Sequence, residues 1–185
     1  LFTRRPVLVH LAGGEFASIP EIGYGGWVNA RTRFWVRLGL AGASRLTAAS
    51  RPLIHRAGEF AYQVERVPFG VDLARWPARK PQRRVAGGPA RLLHVGDLNR
   101  VKDQPTLLKA AERLKASGVD FRLDMVGFDP LGGEIQALSA RLGIENHVTF
   151  HGYLPPSRVR PLLEAAHVLL VSSRHEAGPF AMLKA

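Results

Sequence analysis

The sequence predicts an α/β protein with parallel β-sheet, and three observations lead to that prediction. Short apolar runs alternate four times with amphipathic stretches from Arg91 onward. These amphipathic stretches are too long for hairpin turns, so successive strands are expected to pair in parallel through right-handed helical crossovers. The composition, 46% hydrophobic and 22% charged, is that of a globular chain. We therefore expect sheets with helices packed on their faces.

The first ~75 residues predict the tail of one α/β unit. Strand, helix, strand, helix and strand are predicted in turn in "RPVLVHLAGGE", "NARTRFWVRLGLAGA", "SRLTAAS", the stretch from Arg51, and "QVERVPFGVD". A run rich in proline and glycine, residues 77–90, then predicts a linker. The chain is therefore expected to contain parts of two domains.

The strand and helix after the linker have the clearest patterns. "RLLHVG" is typical of a buried strand, and "DQPTLLKAAERLKASG" has the periodicity of a helix. Asp103 is predicted at the N-cap of this helix, Pro105 in its first turn and Gly118 at its end. The side chains predicted to face the core are Leu107, Leu108, Ala111 and Leu114.

The alternation continues to the end of the chain. Strand, helix, strand, helix and strand are predicted in "FRLDMVG", "GGEIQALSARLG", "HVTFHG", "PSRVRPLLEAA" and "HVLLVSS". Ligands of such Rossmann-like sheets bind beyond the carboxyl ends of the strands. Four glycines are predicted at that rim: Gly96, Gly127, Gly152 and Gly178. A helix is predicted to start after Gly178, and its free N–H groups favour an anion such as a diphosphate.

The formal net charge of +11 indicates an anionic partner: nucleic acid, anionic lipid or a phosphorylated ligand. The densest basic run, "ARKPQRR", lies in the predicted linker without the aromatic residues that stack on bases. Specific nucleic-acid recognition is therefore not expected. Charges spread over helix surfaces also serve solubility alone, and that interpretation stays open.

The absence of cysteine removes disulfides and thiolate metal sites and favours a reducing, cytoplasmic compartment. No apolar run approaches the ~20 residues that span a bilayer. No His, Asp or Glu cluster has the spacing of a metal site. The chain begins with Leu1 and stops at Ala185 inside an amphipathic pattern, so we expect a fragment of a longer protein.

Three segments together resemble a known enzyme family: "PFGVDLARW", "RLLHVGDLNRVKDQPTLLKAAERL" and "VTFHGYLPPSRVRPLLEAAHVLLVSSRHEAGPFAMLKA". In this order and spacing they are similar to retaining glycosyltransferases of the GT-B fold, family 4. The resemblance implies two Rossmann-like domains, both incomplete here. Residues 1–76 would be the end of the N-terminal acceptor domain, 77–90 the linker, and 91–185 the first part of the nucleotide-sugar donor domain.

The resemblance implies four catalytic residues. Glu176 would hydrogen-bond hydroxyls of the donor sugar, because a carboxylate beside a diphosphate is repelled unless it faces neutral donors. Lys102 matches a lysine of the family, and it and Arg100 would stabilise the leaving diphosphate. His10 resembles a histidine on the acceptor side of the cleft. The structural alternatives are that Glu176 caps a helix, that Lys102 and Arg100 are merely solvated, and that His10 is a buried structural residue.

The resemblance also implies residues that bind the nucleotide-sugar: Gly96, Gly127, Tyr153, Leu154, Ala177, Gly178, Pro179 and Phe180. Gly127 and the turn with Tyr153 and Leu154 would do so mainly through backbone atoms. No cofactor and no metal are implied, since the nucleotide-sugar is the substrate. Two positions depart from the family pattern. Asp97 stands where an arginine is common, and Lys184 replaces the second acid of the motif that begins with Glu176.

The predicted function is transfer of a hexosyl group from a nucleotide-sugar to an acceptor hydroxyl with retention, the 185 residues alone being inactive. A sugar-nucleotide epimerase of the same fold and a non-catalytic module that binds nucleotide-sugars or anions are the alternatives. The donor base, the sugar and the acceptor (lipid, sugar or small molecule) stay open. The basic charge also allows peripheral contact with an anionic membrane at its inner face.

Overall fold

A computed structural model describes residues 5–80, 82–178 and 180–185. The chain divides into two compact units. The first unit contains the residues up to Gly70 and a later segment, His175–Phe180, and the second contains Val71–Arg174 and Ala181–Ala185. The domain roles assigned from the sequence, acceptor and donor, stay predictions.

The first unit contains a parallel three-stranded sheet. Its strands, in the order β1-β2-β3, are β1 (Leu8–Leu11), β2 (Arg45–Ala48) and β3 (Val64–Arg66). The crossovers contain helices α1 (Ala30–Ala41) and α2 (Arg51–Arg56), with short 3-10 turns at Pro20–Ile22 and Gly58–Gln63. Helix α1 begins where the Asn29 side chain accepts a hydrogen bond from the Thr32 N–H at 2.9 Å. All five elements predicted for this part of the chain are present.

The second unit contains a parallel four-stranded sheet in the order β6-β5-β4-β7. Its strands are β4 (Ala90–Val95), β5 (Phe121–Val126), β6 (Val148–Gly152) and β7 (Val168–Leu169). Helices α3 (Gln104–Ala116), α4 (Glu134–Arg141) and α5 (Pro156–Ala165) connect them, with a 3-10 turn at Glu145–His147. A last helix, α6, is Phe180–Lys184. The parallel α/β prediction is confirmed.

Apolar residues bury both faces of the second sheet. Phe121, Leu123 and Met125 pack with α3 and α4 on one face. Leu93 and Val126 pack with Val159 of α5 on the other. The first three residues of the predicted α3 stripe lie in this core, as predicted. The prediction was wrong for Leu114, which is 36% exposed. The last turn of α3 extends past the buried cluster.

The start of α3 also differs in detail from the prediction. Asp103 does occupy the N-cap position, but its backbone is left-handed, with φ at +51°. Its carboxylate accepts a hydrogen bond from the Thr106 hydroxyl at 3.0 Å instead of from a backbone N–H. The same carboxylate lies 3.5 Å from the Arg174 guanidinium. Asp103 therefore ties the helix start to the chain beyond β7.

Two carboxylates fix parts of the second unit. Burial opposes ionisation of Asp129, but hydrogen bonds from the Leu131 and Gly133 N–H groups, each at 2.9 Å, outweigh it and lower its pKa. Asp129 thereby holds the start of α4. In α5 the hydrogen bond from Arg160 is the main cause of the lowered pKa of Glu164, and the charge of Arg79 adds to it. The ion pair between Arg79 and Glu164 joins α5 to the chain before β4.

Within the described part of the chain, every helix is too short or too polar to cross a membrane.

Candidate functional site

The carboxyl ends of β4, β5 and β6 are joined by close backbone packing. The Gly96 N–H donates to the Val126 carbonyl at 2.8 Å, and the Gly127 N–H donates to the Gly152 carbonyl at 2.9 Å. A Cβ atom at Gly127 would lie 2.1 Å from the Gly96 carbonyl oxygen. Only glycine fits there, because real Cβ atoms do not approach backbone this closely. The predicted glycines Gly96 and Gly127 therefore form one surface of bare backbone.

Lys102 lies beside this backbone surface. Its Cε atom is 3.5 Å from the position that a Cβ on Gly96 would occupy. The Lys102 N–H donates to the Asn99 side chain at 3.1 Å, and the Lys102 carbonyl accepts from the Ser172 hydroxyl at 2.7 Å. The loop after β4 is thus held at both sides of the lysine. Arg100, on the same loop, is exposed.

Asp97 has a structural role that the sequence did not reveal. Its carboxylate accepts the Phe128 N–H at 2.9 Å, which joins the loops after β4 and β5. Its carbonyl accepts a hydrogen bond from the buried Gln104 side chain at 2.9 Å, and that amide also contacts His94 at 3.2 Å. The only sequence feature that pointed to this role was a carboxylate directly after the rim glycine Gly96. Asp97 therefore links two loops, and its carboxylate cannot replace an arginine toward phosphate because both would be negatively charged.

Tyr153 and Leu154 follow β6 with opposite exposures. Tyr153 is 72% exposed. The Leu154 side chain packs with Leu93, Val126 and Val159. The Leu154 side chain is thus partly used in the core of the second unit, and its role toward a nucleotide stays a prediction.

His10 lies in the first unit with one ring nitrogen in use. Its Nδ1 is 2.8 Å from the Thr47 hydroxyl. Its Nε2 is buried and has no hydrogen-bond partner among the described residues. The ring lies 5.2 Å from the ring of Phe69, which in turn lies 4.5 Å from the ring of Phe180. A Cβ at Gly178 would come within 2.9 Å of Phe69. Phe69, which the sequence did not single out, therefore lies next to three predicted site residues: His10, Gly178 and Phe180.

Glu176 belongs to an acidic group in the same unit. Burial raises the pKa of the Tyr24 phenol, and the charges of Glu15 and then Glu176 raise it further. The Glu15 carboxylate accepts the N–H groups of Ala12 at 2.9 Å and Gly13 at 2.7 Å. Next to Glu176, the Ala177 Cβ lies 2.6 Å from where a Cβ on Gly13 would be. The glycine loop after β1 and the Glu176 segment are therefore packed directly together.

Two predicted positions remain, Pro179 and Lys184. Pro179 lies outside the described residues. Lys184, at the end of α6, holds its ammonium group 5.0 Å from the centre of the Trp76 ring in the second unit. The predicted residues thus form two groups. The first unit contains His10, Glu176, Ala177, Gly178 and Phe180, and the second contains Gly96, Arg100, Lys102, Gly127, Tyr153 and Leu154.

Residues 5–80, 82–178 and 180–185 contain no group of three or more metal-ligating side chains. The second unit offers glycine backbone without side chains and cationic side chains, and the first unit offers an imidazole nitrogen and carboxylates.

Residues 77–185, more than half of the chain, match the family described as Glycosyl transferases group 1. EpsF of Bacillus subtilis (strain 168) is 29% identical over 160 residues, which are 80% of this chain and 41% of EpsF. A D-inositol 3-phosphate glycosyltransferase of Nocardia farcinica (strain IFM 10152) is 30% identical over 155 residues, 75% of this chain and 34% of that protein. The chain thus spans less than half the length of both relatives.

Solved structures agree with this assignment at the level of the fold. Anabaena Alr3699/HepE, in complex with UDP and glucose, matches with a TM-score of 0.71 and 22% identity over 97% of this chain and 51% of HepE. The chain belongs to the glycosyl transferases group 1 family, and its fold is that of the GT-B glycosyltransferases.

Proposed function

We propose that the complete protein transfers a hexosyl group from a nucleotide-sugar to an acceptor hydroxyl with retention of configuration. The observation that carries this proposal is the buried Nε2 of His10, without a hydrogen-bond partner among the described residues. A buried polar atom left without a partner costs about 1–3 kcal/mol. A sugar hydroxyl, which both donates and accepts, satisfies this nitrogen in either tautomer.

The second unit supplies the groups that suit a diphosphate. Gly96 and Gly127 present backbone that no Cβ obstructs, with the Lys102 side chain alongside. A lysine ammonium forms charge-assisted hydrogen bonds with phosphate oxygens. It also stabilises the negative charge that develops as the leaving diphosphate departs.

The first unit suits the sugar. Glu15 and Glu176 both act on Tyr24, so negative charge is concentrated there and a phosphate is disfavoured. The Glu15 carboxylate is already bound to two backbone N–H groups of the Gly13 loop. Glu176 is assigned to the hydroxyls of the transferred sugar, because a carboxylate accepts hydrogen bonds from neutral hydroxyl donors.

The reaction breaks the bond between the anomeric carbon and the diphosphate oxygen and forms a bond to the acceptor oxygen on the same face. The acceptor hydroxyl proton leaves with the diphosphate. The chain contributes positioning and electrostatic stabilisation of the leaving group. The nucleotide-sugar is the substrate, and no cofactor enters the proposal.

A non-catalytic module that binds nucleotide-sugars is the second candidate function. Asp97 is engaged with Phe128 and Lys184 lies over Trp76, so neither stands in for the family side chain at its position.

For the acceptor, the net charge of +11 supports a molecule or cytoplasmic membrane surface with anionic groups.

The test uses the full-length protein with UDP-glucose, ADP-glucose and GDP-mannose as donors. We expect hydrolysis or transfer with one of them, and a loss of about 10- to 150-fold in rate for Glu176→Gln, the cost of 1.5–3 kcal/mol for a charged hydrogen bond. Binding of a nucleoside diphosphate without turnover of any donor would instead support the non-catalytic module.

Calorimetry separates the role of Lys102 from general charge. Lys102→Ala should weaken UDP binding more than uridine binding, because its assigned partner is phosphate. Lys109→Ala is the matched control, since Lys109 is an exposed lysine on α3. Equal losses for UDP and uridine would remove Lys102 from the phosphate site.

A further inference from the structure

We propose that His175 and Arg56 form a positioning clamp that fixes the Gly13 loop against the segment carrying Glu176. This inference rests on the proposed function, because it concerns how the groups assigned to the sugar are held. The clamp lies wholly within the first unit.

Both ring nitrogens of His175 are engaged. Nε2 lies 2.6 Å from the Gly13 carbonyl oxygen, and Nδ1 lies 2.7 Å from the Arg56 guanidinium. His175 is only 8% exposed. The contact with Arg56 joins residues 119 positions apart in the sequence.

These partners determine the tautomer of His175. A guanidinium group only donates hydrogen bonds, so Nδ1 must be the acceptor. A carbonyl only accepts, so Nε2 must carry the hydrogen and donate it to Gly13. The ring is therefore neutral and oriented in one way, and Arg56 sets that orientation.

The clamp acts on backbone next to the proposed sugar site. The Gly13 backbone is left-handed, with φ at +114°, and its N–H is held by Glu15 while its carbonyl is held by His175. Glu176 directly follows His175 in the chain. Fixing His175 on Gly13 thus fixes the origin of the Glu176 side chain. A displacement of about 1 Å at such a site costs up to about 100-fold in rate.

His175 is assigned as a positioning residue and not a catalytic one, because both of its nitrogens are occupied by protein groups. A role in packing alone is the competing explanation. The two differ in what a substitution must preserve: packing needs the ring volume, whereas the clamp needs one donor and one acceptor. Glutamine supplies a donor and an acceptor on one planar group, and phenylalanine supplies only a ring.

The first experiment compares His175→Phe and His175→Gln in the full-length protein. We expect His175→Phe to lower kcat by about 10- to 100-fold with little change in the donor KM, and His175→Gln to recover most of that loss. Wild-type kcat in His175→Phe, or equal impairment of both variants, would overturn the clamp.

The second experiment alters Arg56, which is exposed. Arg56→Met should lower kcat in the same direction as His175→Phe, and Arg56→Lys should restore it because lysine also donates to Nδ1. Arg51→Met is the matched control, since it removes the same charge from the same helix, α2. An equal effect of Arg51→Met and Arg56→Met would contradict the clamp.

A readout independent of activity separates this proposal from the proposed function. The nitrogen NMR shifts of the His175 ring report which nitrogen carries hydrogen. We expect a single Nε2–H tautomer in the wild type and its loss in Arg56→Met. If the protein turns over no donor but shows the single tautomer, the transferase proposal is refuted and the clamp proposal is supported. If the protein is active but His175 has mixed tautomers, the clamp proposal is refuted and the transferase proposal is supported.

Discussion

Tyr24 reports on the charges assigned to the sugar site. Its pKa is raised above the ordinary value of 10.0 by burial, then by Glu15, then by Glu176. The phenolate is disfavoured in the folded state because it would be partly desolvated and close to two carboxylates. The stability linked to this group is therefore fully present below pH 10 and is lost as the pH rises through the folded-state pKa.

Glu176→Gln should lower the pKa of Tyr24 toward its ordinary value without reaching it, since burial and Glu15 remain. The measurement is an ultraviolet titration of tyrosinate in a Tyr62→Phe, Tyr153→Phe background, which leaves Tyr24 as the titrating tyrosine. Glu65→Gln, which removes an exposed carboxylate of the same unit, is the control. An unchanged titration in Glu176→Gln would place Glu176 away from Tyr24.

Residues next to a recognisable pattern could be predicted, and residues defined by distant contacts could not. Gly96 and Lys102 follow a buried strand, so the parallel sheet alone places them at its carboxyl rim. Phe69 and His175 have no such local signal. Their importance comes from contacts with His10 and Arg56, which only folding brings near.

At the scale of elements, the loops after β4 and β5 are held by contact between their backbones. Gly127→Ala would drive a Cβ into the Gly96 carbonyl, 2.1 Å away, so we expect destabilisation of about 1–3 kcal/mol or more. Gly39→Ala is the contrasting variant, because Gly39 lies within α1 with open space around it. It should stabilise by about 0.5–1 kcal/mol. Urea unfolding measures both, and a neutral Gly127→Ala would show that the two loops separate readily.

The extent of an element depends on its neighbours as well as on its own residues. The sequence predicted a strand over "HVLLVSS", but only Val168 and Leu169 form β7, opposite Leu92 and Leu93 of β4. An apolar run shows that a strand exists, whereas the adjacent strand decides how far the pairing extends. The same limit applies to α3, whose apolar stripe continues to Leu114 beyond the core.

At the scale of the whole molecule, each unit has its own apolar core. Leu46→Ala in the first core and Leu123→Ala in the second should each cost about 2–5 kcal/mol. Hydrogen exchange followed by mass spectrometry should show the loss of protection confined to the altered unit. The segment His175–Phe180 should follow Leu46→Ala and not Leu123→Ala. Equal loss in both units would mean that they unfold as one.

The assignment of His175–Phe180 to the first unit has a consequence for synthesis. The ribosome makes β1, β2 and β3 more than a hundred residues before this segment. Until the segment is made, the Gly13 carbonyl and the Arg56 guanidinium lack their partner His175. The part of the second unit at Val71–Arg174 emerges in the meantime and can fold before this segment is made. Among the described residues of the first unit, the segment that carries Glu176 is therefore the last to be made.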